Sequence, residues 1–235
     1  MLALNKKTGA VIWQSAVPGG EPAGYASAIV VQAAGRKQYV QFLSKGIIGV
    51  DAKTGQFLWR YAEVAKGMAQ MVTPVAREGY VYGGAAGIGG GVVRLKSEPG
   101  GVAAEQVYFK RGLPNNMGGS VLVGAYLYGT ANEGLVAVEF TTGTVKWQAE
   151  SLGSGSVAYA DGLLYLHGSN GEVALVEATP EAYREKGRFT RPAQPKRNKL
   201  GPFPEKAWTY PVIANGRLYI RDIGTLWAYD IKASR

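Results

Sequence analysis

Few side chains in this 235-residue sequence could catalyse a reaction. His167 is the one histidine, and the chain contains no cysteine. A histidine-rich metal site, a disulfide, a thiolate metal site and a cysteine nucleophile are therefore excluded, while the redox compartment stays undetermined. Because His167 ends the apolar run Leu163–Leu166, we interpret it as a hydrogen-bonded residue at the end of a strand rather than a general base.

A glycine-rich run from Gly83 to Gly91 is the second chemical candidate, because glycine-rich loops can cradle phosphate groups. A dinucleotide-binding loop must follow a strand and open a helix, but here more strand-like sequence follows. No Lys-Ser or Lys-Thr pair closes the run as in a P-loop. We therefore predict an ordinary connecting loop at 83–91.

The third candidate is a basic segment that carries most of the net charge of +9. Between Arg184 and Lys199, seven basic residues accompany one acidic residue, which accounts for +6. With Pro192 and Pro195, this segment is typical of a solvated, mobile loop, and we place a basic insert at 184–206. The alternative is that 184–199 contacts a polyanion such as a nucleic acid or an anionic membrane, with a steep salt dependence.

A repeated sequence unit predicts the framework that positions these candidates. It consists of a polar residue, then a Thr-Gly pair, then a tryptophan four residues after the glycine, and it occurs at 3–13, 49–59 and 137–147. The three glycines are 46 and 88 residues apart, which is one and then two periods of about 44. Strand-built periods of about 40–45 residues are typical of β-propeller blades.

The predicted fold is all-β: one domain over 1–235, forming a β-propeller of four-stranded antiparallel blades. Turn pairs recur at one place in the unit, at Glu78-Gly79, Asp161-Gly162 and Asn215-Gly216. We predict an incomplete arc of an eight-bladed propeller, whose open edges would favour self-association. The alternative is a closed five-bladed ring in which Ala10–Gln14 completes the last blade. The predicted blades are four whole ones at 25–62, 68–111, 116–150 and 154–189, and partial ones at 1–17 and 207–235.

Each marked residue of the repeat has a structural explanation. An indole on the outermost strand can lie between adjacent blades and bury about 200 Å². The Thr-Gly pair supplies the turn, and the preceding polar residue can accept hydrogen bonds from turn N–H groups. We therefore predict blade-docking roles for Trp13, Trp59, Trp147, Gly9, Gly55 and Gly143. In 68–111 the unit has degenerated to Ser97–Gly101, with Tyr108 or Phe109 at the tryptophan position.

The repeat unit resembles the pyrroloquinoline-quinone-like (PQQ-like) β-propeller repeat family. That family includes eight-bladed quinoprotein alcohol dehydrogenases and the non-enzymatic, outer-membrane-assembly lipoprotein BamB. The chain is also similar to the C-terminal part of uncharacterised bacterial PQQ-binding-like propeller proteins, through 36–40, 176–180 and 216–222. The resemblance covers nearly the whole chain and implies an exported, periplasmic location. The chain itself begins in a repeat unit without a signal peptide, so it leaves the compartment open.

This resemblance implies a fold rather than a function, because the same blades serve enzymes and scaffolds. We predict a non-catalytic scaffold that binds a protein or a small molecule on the funnel face, with no cofactor. Loops carried on a rigid ring are where binding residues usually lie. The candidate residues on that face are Tyr25, Gln70, Asn115, Asn116, Asn132, Glu133, Asn170, Trp208, Arg221 and Asp222.

The alternative function is a PQQ-dependent, quinoprotein alcohol dehydrogenase-like oxidoreductase. That chemistry needs a calcium ion held by oxygen ligands, a basic residue for the carboxylates of the quinone, and a carboxylate base. Asn132, Glu133, Arg221 and Asp222 have suitable side chains. The adjacent-cysteine disulfide of many such enzymes is absent.

Overall fold

The chain folds into antiparallel β-sheets. A computed structural model describes residues 1–66, 70–132, 134–192, 206–207 and 209–232. The chain divides into unit 1, Met1–Arg111 with Thr141–Gly143, and unit 2, Gly112–Phe140 with Thr144–Arg235. In the described ranges the one helical element is a 3-10 helix at Glu63–Lys66, and no helix is long and apolar enough to cross a membrane.

Unit 1 contains a two-stranded sheet and two four-stranded sheets, in which strands adjacent in sequence pair with each other. The two-stranded sheet consists of β1 (Leu2–Leu4) and β2 (Val11–Gln14). The next sheet consists of β3 (Ile29–Ala33), β4 (Arg36–Leu43), β5 (Gly46–Asp51) and β6 (Phe57–Tyr61). The third consists of β7 (Val75–Arg77), β8 (Tyr80–Ala85), β9 (Gly89–Glu98) and β10 (Gly101–Lys110).

Unit 2 contains two four-stranded sheets and a three-stranded sheet with the same connectivity. The first consists of β11 (Ser120–Val123), β12 (Tyr126–Ala131), β13 (Gly134–Glu139) and β14 (Val145–Ala149). The second consists of β15 (Gly155–Ala160), β16 (Leu163–Gly168), β17 (Glu172–Glu177) and β18 (Glu185–Thr190). The third consists of β19 (Val212–Ala214), β20 (Arg217–Asp222) and β21 (Thr225–Asp230).

These sheets confirm the predicted all-β class of propeller blades. One four-stranded antiparallel sheet lies within each of the ranges 25–62, 68–111 and 116–150, and a fourth extends from Gly155 to Thr190, one residue beyond the predicted 154–189. The hairpin turns predicted from Glu78-Gly79, Asp161-Gly162 and Asn215-Gly216 form, with φ of 49–53° at the first residue and 71–81° at the glycine. Positive φ at both positions matches the right-handed twist of the flanking strands, which is why such pairs define the blade hairpins.

In five sheets the pairing between the last strand and the strand before it contains a register shift at the same place in the repeat. In each sheet the residue before the shift pairs with the tryptophan position of the repeat, as Ala3 pairs with Trp13 and Gly49 with Trp59. Val92 pairs with Tyr108, so Tyr108 rather than Phe109 occupies this position in the third sheet. On β18 the position is occupied by Gly187, opposite Leu175.

The prediction of a loop at 83–91 is wrong over most of its length. β8 continues to Ala85 and β9 begins at Gly89, so only three residues connect the strands. A Cβ atom on Gly83 would lie 2.2 Å from Cδ1 of Ile47, and one on Gly90 would lie 2.1 Å from the hydroxyl of Tyr82. Glycine is therefore required here by side chains that press against the backbone, not by loop flexibility.

The basic insert was also predicted as a loop, and this is wrong for Glu185–Thr190. These residues form β18, which pairs with β17 along its length and completes the blade. The strand was missed because all six of its residues are exposed and its charge suggested a solvated loop. Residues 193–205 of the predicted insert lie outside the described part of the chain.

Candidate functional site

Trp13 connects two sheets of unit 1. Its indole N–H donates to the carbonyl oxygen of Ala52, 3.3 Å away, in the turn that joins β5 to β6. The ring also covers Gly55 of that turn, where a Cβ atom would lie 2.5 Å from Cε3 of the indole. Trp13 thus packs against the turn of the following sheet, which it can approach because Gly55 has no side chain.

The other aromatic residues at this position differ in their partners. The indole N–H of Trp147 donates to the carbonyl oxygen of Thr179, 2.8 Å away on the following sheet of unit 2. The ring of Tyr108 covers Gly143 in the same way as Trp13 covers Gly55. A Cβ atom added to Gly143 would lie 2.7 Å from Cε2 of Tyr108. Trp59 is 4% exposed, but its N–H donates 2.6 Å to Oε1 of Gln38 within its own sheet. At Gly9, by contrast, a Cβ atom would have no neighbour within 4 Å in the part of the chain that the structure describes, apart from the adjoining residues.

Two of the predicted binding residues meet in unit 1. Tyr25 is 82% exposed, and its backbone N–H donates to the carbonyl oxygen of Gln70, 2.9 Å away. The preceding residue, Gly24, packs directly against the backbone of Phe42 and Gln70, and a Cβ atom on it would lie 2.7 and 2.9 Å from their carbonyl oxygens. The connection from β2 to β3 is therefore held against the rest of the unit, and it presents the Tyr25 side chain to solvent.

A cavity of about 650 Å³ lies beside this connection. Its walls combine apolar side chains, including Val17, Ala23 and Leu43, with the polar residues Ser15, Glu21 and Gln41. This volume is within the range of about 300–1,000 Å³ typical of small-molecule sites. The cavity is therefore large enough for a small ligand or for a side chain and backbone of a partner.

Glu21 fixes the wall of the cavity. Its Oε2 accepts the backbone N–H of Lys45 at 2.5 Å, and its Oε1 lies 2.6 Å from Nη1 of Arg60. The hydrogen bonds of Arg60 are directed elsewhere, to the carbonyl oxygens of Pro18 and Lys45, at 3.0 and 3.4 Å. The carboxylate of Glu21 is thus held by the ion pair with Arg60 at Oε1 and by the backbone N–H of Lys45 at Oε2.

Two buried oxygens of the cavity wall have no hydrogen-bond donor or acceptor among the described residues: Oγ of Ser15 and Oε1 of Glu21. Ser15 is 8% exposed, and the side chain of Glu21 is fully buried. Buried polar atoms are almost always paired with protein or water, and Oε1 of Glu21 has Nη1 of Arg60 2.6 Å away, so these two oxygens do not by themselves mark a binding position.

In unit 2, Asn115 and Asn116 join neighbouring sheets. Both backbone N–H groups donate to the carbonyl oxygen of Thr130, at 3.1 and 3.2 Å. Nδ2 of Asn116 donates to the carbonyl oxygen of Ala131 at 2.7 Å and to Oγ of Ser154 at 3.1 Å. Asn115 is 3% exposed and Asn116 is partly buried, and their role in binding stays a prediction.

The remaining candidates of unit 2 do not assemble into one site. Asn132 is exposed, and the amide of Asn170 bonds to Glu172, two residues further along the chain. Asp222 is 3% exposed and forms an ion pair with Arg191, while its neighbour Arg221 is exposed. Glu133 and Trp208 lie outside the described residues.

The cations of the basic segment are engaged within unit 2 wherever the structure describes them. Arg184 and Lys186 both bond to Glu177, and Lys186 first and then Arg184 hold the pKa of that carboxyl below its usual value. Arg188 bonds to Glu185 at 2.8 Å. These cations balance acidic neighbours rather than forming an unbalanced patch, and contact with a polyanion stays a prediction.

The residues named for a quinone and calcium site are not brought together as far as the structure describes them, Glu133 lies outside the described residues, and this site stays a prediction. Asp222 is occupied by Arg191, and Asn132 and Arg221 are exposed on different sheets. Within the described ranges, no three histidine or acidic side chains are grouped to hold a metal ion. His167 is fully buried, and its Nδ1 lies 2.9 Å from the carbonyl oxygen of Thr209. Since a carbonyl only accepts, Nδ1 carries the proton.

Comparison with known proteins gives matches in family and fold. A PQQ-repeat family model described as outer membrane protein assembly factor BamB matches residues 1–85 and 58–180. No curated protein matches the chain. The crystal structure of BamB from Moraxella catarrhalis is similar, with a TM-score of 0.67 and 16% identity over 97% of this chain.

That match covers 62% of the BamB chain, so this chain spans less than two thirds of its length. The computationally designed Ika4 protein is also similar, with a TM-score of 0.54 and 13% identity over 72% of this chain and 99% of Ika4. At these identities the likeness shows the fold alone.

Proposed function

Because this chain belongs to the BamB-like PQQ-repeat β-propeller family, we propose that it is a non-catalytic scaffold that binds a small molecule or a protein partner in the cavity beside Tyr25. The family model carries the description of an assembly factor, and we transfer from it only a binding role without chemistry. We extend the proposal to an exported, periplasmic location, in keeping with that description.

The observation that carries this proposal is the cavity of about 650 Å³ whose wall contains Ser15 and Glu21. Its walls are held by hydrogen bonds of Glu21, Lys45 and Arg60, and a largely exposed tyrosine lies on the adjoining loop. Tyrosine offers a large, rigid contact area at a low cost in conformational entropy, which suits a binding surface.

Binding in the cavity can be tested with hexanol as a probe, followed by two-dimensional NMR of the 235-residue chain. We expect saturable shifts in the amides of Val17, Gly24 and Ala26. The variant Ala23→Phe should abolish them, because the added ring fills the cavity that Ala23 lines. Ala28→Phe is the matched control, since Ala28 is exposed on the same connection but does not line the cavity. Shifts scattered over the surface, or retained in Ala23→Phe, would contradict the proposal.

The absence of catalysis is tested separately by incubating the chain with PQQ and calcium ions. We expect neither a bound-quinone spectrum nor reduction of a dye in the presence of alcohols. Either signal would support the oxidoreductase instead.

A further inference from the structure

Short turns between paired strands form one end of the sheets of unit 1. Because neighbouring strands are antiparallel, the β3–β4 and β5–β6 turns lie at the same end of their sheet, and so do the β7–β8 and β9–β10 turns. Contacts bring the turns of neighbouring sheets together. A Cβ atom on Gly79 of the β7–β8 turn would lie 4.0 Å from Cβ of Ala33, beside the β3–β4 turn, and Trp13, beside the β1–β2 turn, lies against the β5–β6 turn. We call these five turns and the residues beside them the turn end of unit 1.

The turn end carries an excess of positive charge. Two of its acidic residues, Asp51 and Glu78, are paired with arginines of the same end. Its five segments contain seven basic and three acidic residues, a net charge of +4: 5–10, 34–37, 51–56, 77–79 and 96–101. Four exposed lysines of the turn end have no ion pair or side-chain hydrogen bond among the described residues: Lys6, Lys7, Lys37 and Lys53. These lysines are therefore free to bind an anionic partner.

The β1–β2 hairpin adds exposed apolar side chains to this charge. Leu4 and Val11 pair across the two strands, directly beside the turn that carries Lys6 and Lys7, and they are 50% and 62% exposed. Basic residues beside exposed apolar ones are typical of segments that lie in a membrane interface. There the apolar side chains enter the boundary of the acyl chains, and the cations meet the headgroups.

We propose that the turn end docks on a membrane surface rich in anionic phospholipids, with the β1–β2 hairpin entering the headgroup region. A nucleic acid would also attract the lysines, but it offers no apolar layer to Leu4 and Val11. Single strands bind by stacking on exposed aromatic rings. Tyr25, the one exposed aromatic residue among the described residues of unit 1, adjoins the cavity instead. The cavity is lined by Met1 and Ser15, at the other end of β1 and β2, so this inference does not depend on the proposed function.

Sedimentation with lipid vesicles tests the docking of the 235-residue chain. Vesicles of phosphatidylcholine with about one third phosphatidylglycerol are compared with vesicles of phosphatidylcholine alone. We expect a partition coefficient about a hundredfold higher with the anionic vesicles, and a steep fall between about 0.05 and 0.3 M salt, since salt screens charges. The double variant Lys7→Thr with Lys53→Thr gives both turns the threonine that the third repeat has at Thr142. It should lower the partition coefficient about thirtyfold, because each lysine near an anionic surface contributes about a factor of five.

Lys66→Thr with Arg111→Thr is the matched control. It removes the same charge from two exposed residues of unit 1 that follow β6 and β10 and therefore lie at the opposite end of the sheets. Its partition coefficient should change less than about threefold, because charges far from the lipid surface are screened. Equal losses in the two double variants would show attraction by the overall charge alone and would overturn the inference. Thermal unfolding checks that both variants keep the fold.

Val11→Thr tests the apolar contact, since threonine keeps the branched shape but carries a hydroxyl in place of a methyl group. It should lower the partition coefficient severalfold on anionic vesicles and leave the binding of a single-stranded DNA of about 20 nucleotides unchanged. Tighter binding of the DNA than of the vesicles, with the same loss in Lys7→Thr with Lys53→Thr, would overturn the membrane partner. Unchanged vesicle binding in that double variant would assign the contact to other residues, such as the basic segment 184–199, and would overturn the inference too. None of these outcomes bears on the cavity.

Discussion

Two regions of the molecule hold neighbouring sheets together with opposite chemistry. In unit 1, the indole of Trp13 on β2 lies against the turn between β5 and β6. In unit 2, β18 has Gly187 at the corresponding position, and among the described residues no atom beyond its chain neighbours lies within 4 Å of a Cβ atom there. The contact to the last sheet is made further along the chain. There Phe189 meets Tyr229, with ring centroids 4.9 Å apart, and Arg191 meets Asp222.

Where Trp13 makes an aromatic contact to the following sheet of unit 1, Arg191 makes a buried ion pair to the last sheet of unit 2. It is 1% exposed, its Nη2 donates to Oδ2 of Asp222 at 2.6 Å, and its Nε donates to the carbonyl oxygen of Gly171 at 2.9 Å. The guanidinium also lies 4.6 Å from the ring centroid of Trp227. An indole contact weakens in proportion to the area removed, whereas a buried ion pair leaves an uncompensated charge when either partner is removed.

The largest effect should therefore come from unit 2. We expect Asp222→Ala to lower the free energy of unfolding by about 3–5 kcal/mol, because it leaves the guanidinium of Arg191 buried without its counter-ion. Urea unfolding at neutral pH measures the loss. Glu185→Ala is the control, since its pair with Arg188 is partly exposed and such pairs contribute about 0–1 kcal/mol. In the double variant Arg191→Leu with Asp222→Leu, much of the loss should be recovered. Equal losses in Asp222→Ala and Glu185→Ala would remove the distinction between the two regions.

The next effect tests the aromatic contact of unit 1. Gly55 and Gly9 occupy the same place in the repeat, with φ of 74° and 73°, but only Gly55 is covered by an indole. Gly9→Ala should cost about 1 kcal/mol from the backbone conformation alone. Gly55→Ala should cost about 1–3 kcal/mol more, because its Cβ atom would overlap the ring of Trp13. Urea unfolding of both variants gives the difference, and equal losses would mean that Trp13 does not press on this turn.

The same two regions show how far the sequence predicts the structure. The Thr-Gly and tryptophan spacing and the Asp-Gly and Asn-Gly turns are local signals, and they were sufficient for the blade class. The partner of Arg191 was not predictable, because Asp222 is 31 residues away and the intervening sequence has no periodicity that links them. The sequence predicts a loop over most of β18, since the exposed, charged residues of this strand lack the apolar alternation typical of strands.

The candidate site was predicted less well than the fold. Tyr25 and Gln70 were named, and the structure brings them together beside the cavity. Ser15 and Glu21 were missed, because a serine and a glutamate in a loop with Pro18 and Pro22 look solvated in sequence. What makes them notable is that both are buried in one wall without hydrogen-bond partners for Oγ and Oε1 among the described residues. Such burial depends on contacts between distant segments, and no local pattern encodes it.

The smallest effect should come from the charge of the turn against which Trp13 packs. Oδ1 of Asp51 accepts hydrogen bonds from the backbone N–H groups of Lys53 and Thr54, at 2.9 and 3.0 Å. In the first repeat, Oδ1 of Asn5 accepts the equivalent bonds from Lys7 and Thr8. Burial alone would raise the pKa of Asp51, but the hydrogen bonds from Thr54, Lys53 and Arg36 outweigh it and lower that pKa. The stabilisation by Asp51 is therefore present above its unfolded pKa of 3.8 and is lost as the pH falls through the lower folded value.

Asp51→Asn keeps the acceptor and the shape of this turn, so we expect a loss of about 0.5 kcal/mol or less at neutral pH. Urea unfolding at a series of pH values should show that the difference between Asp51→Asn and the parent chain shrinks as the pH falls below the unfolded pKa of 3.8, because the folded carboxyl then becomes protonated in turn. A loss as large as that of Asp222→Ala would contradict the comparison. It would mean that charge, and not the shape that the turn offers to the indole, holds these sheets of unit 1 together, as the Arg191–Asp222 pair does at the last sheet of unit 2.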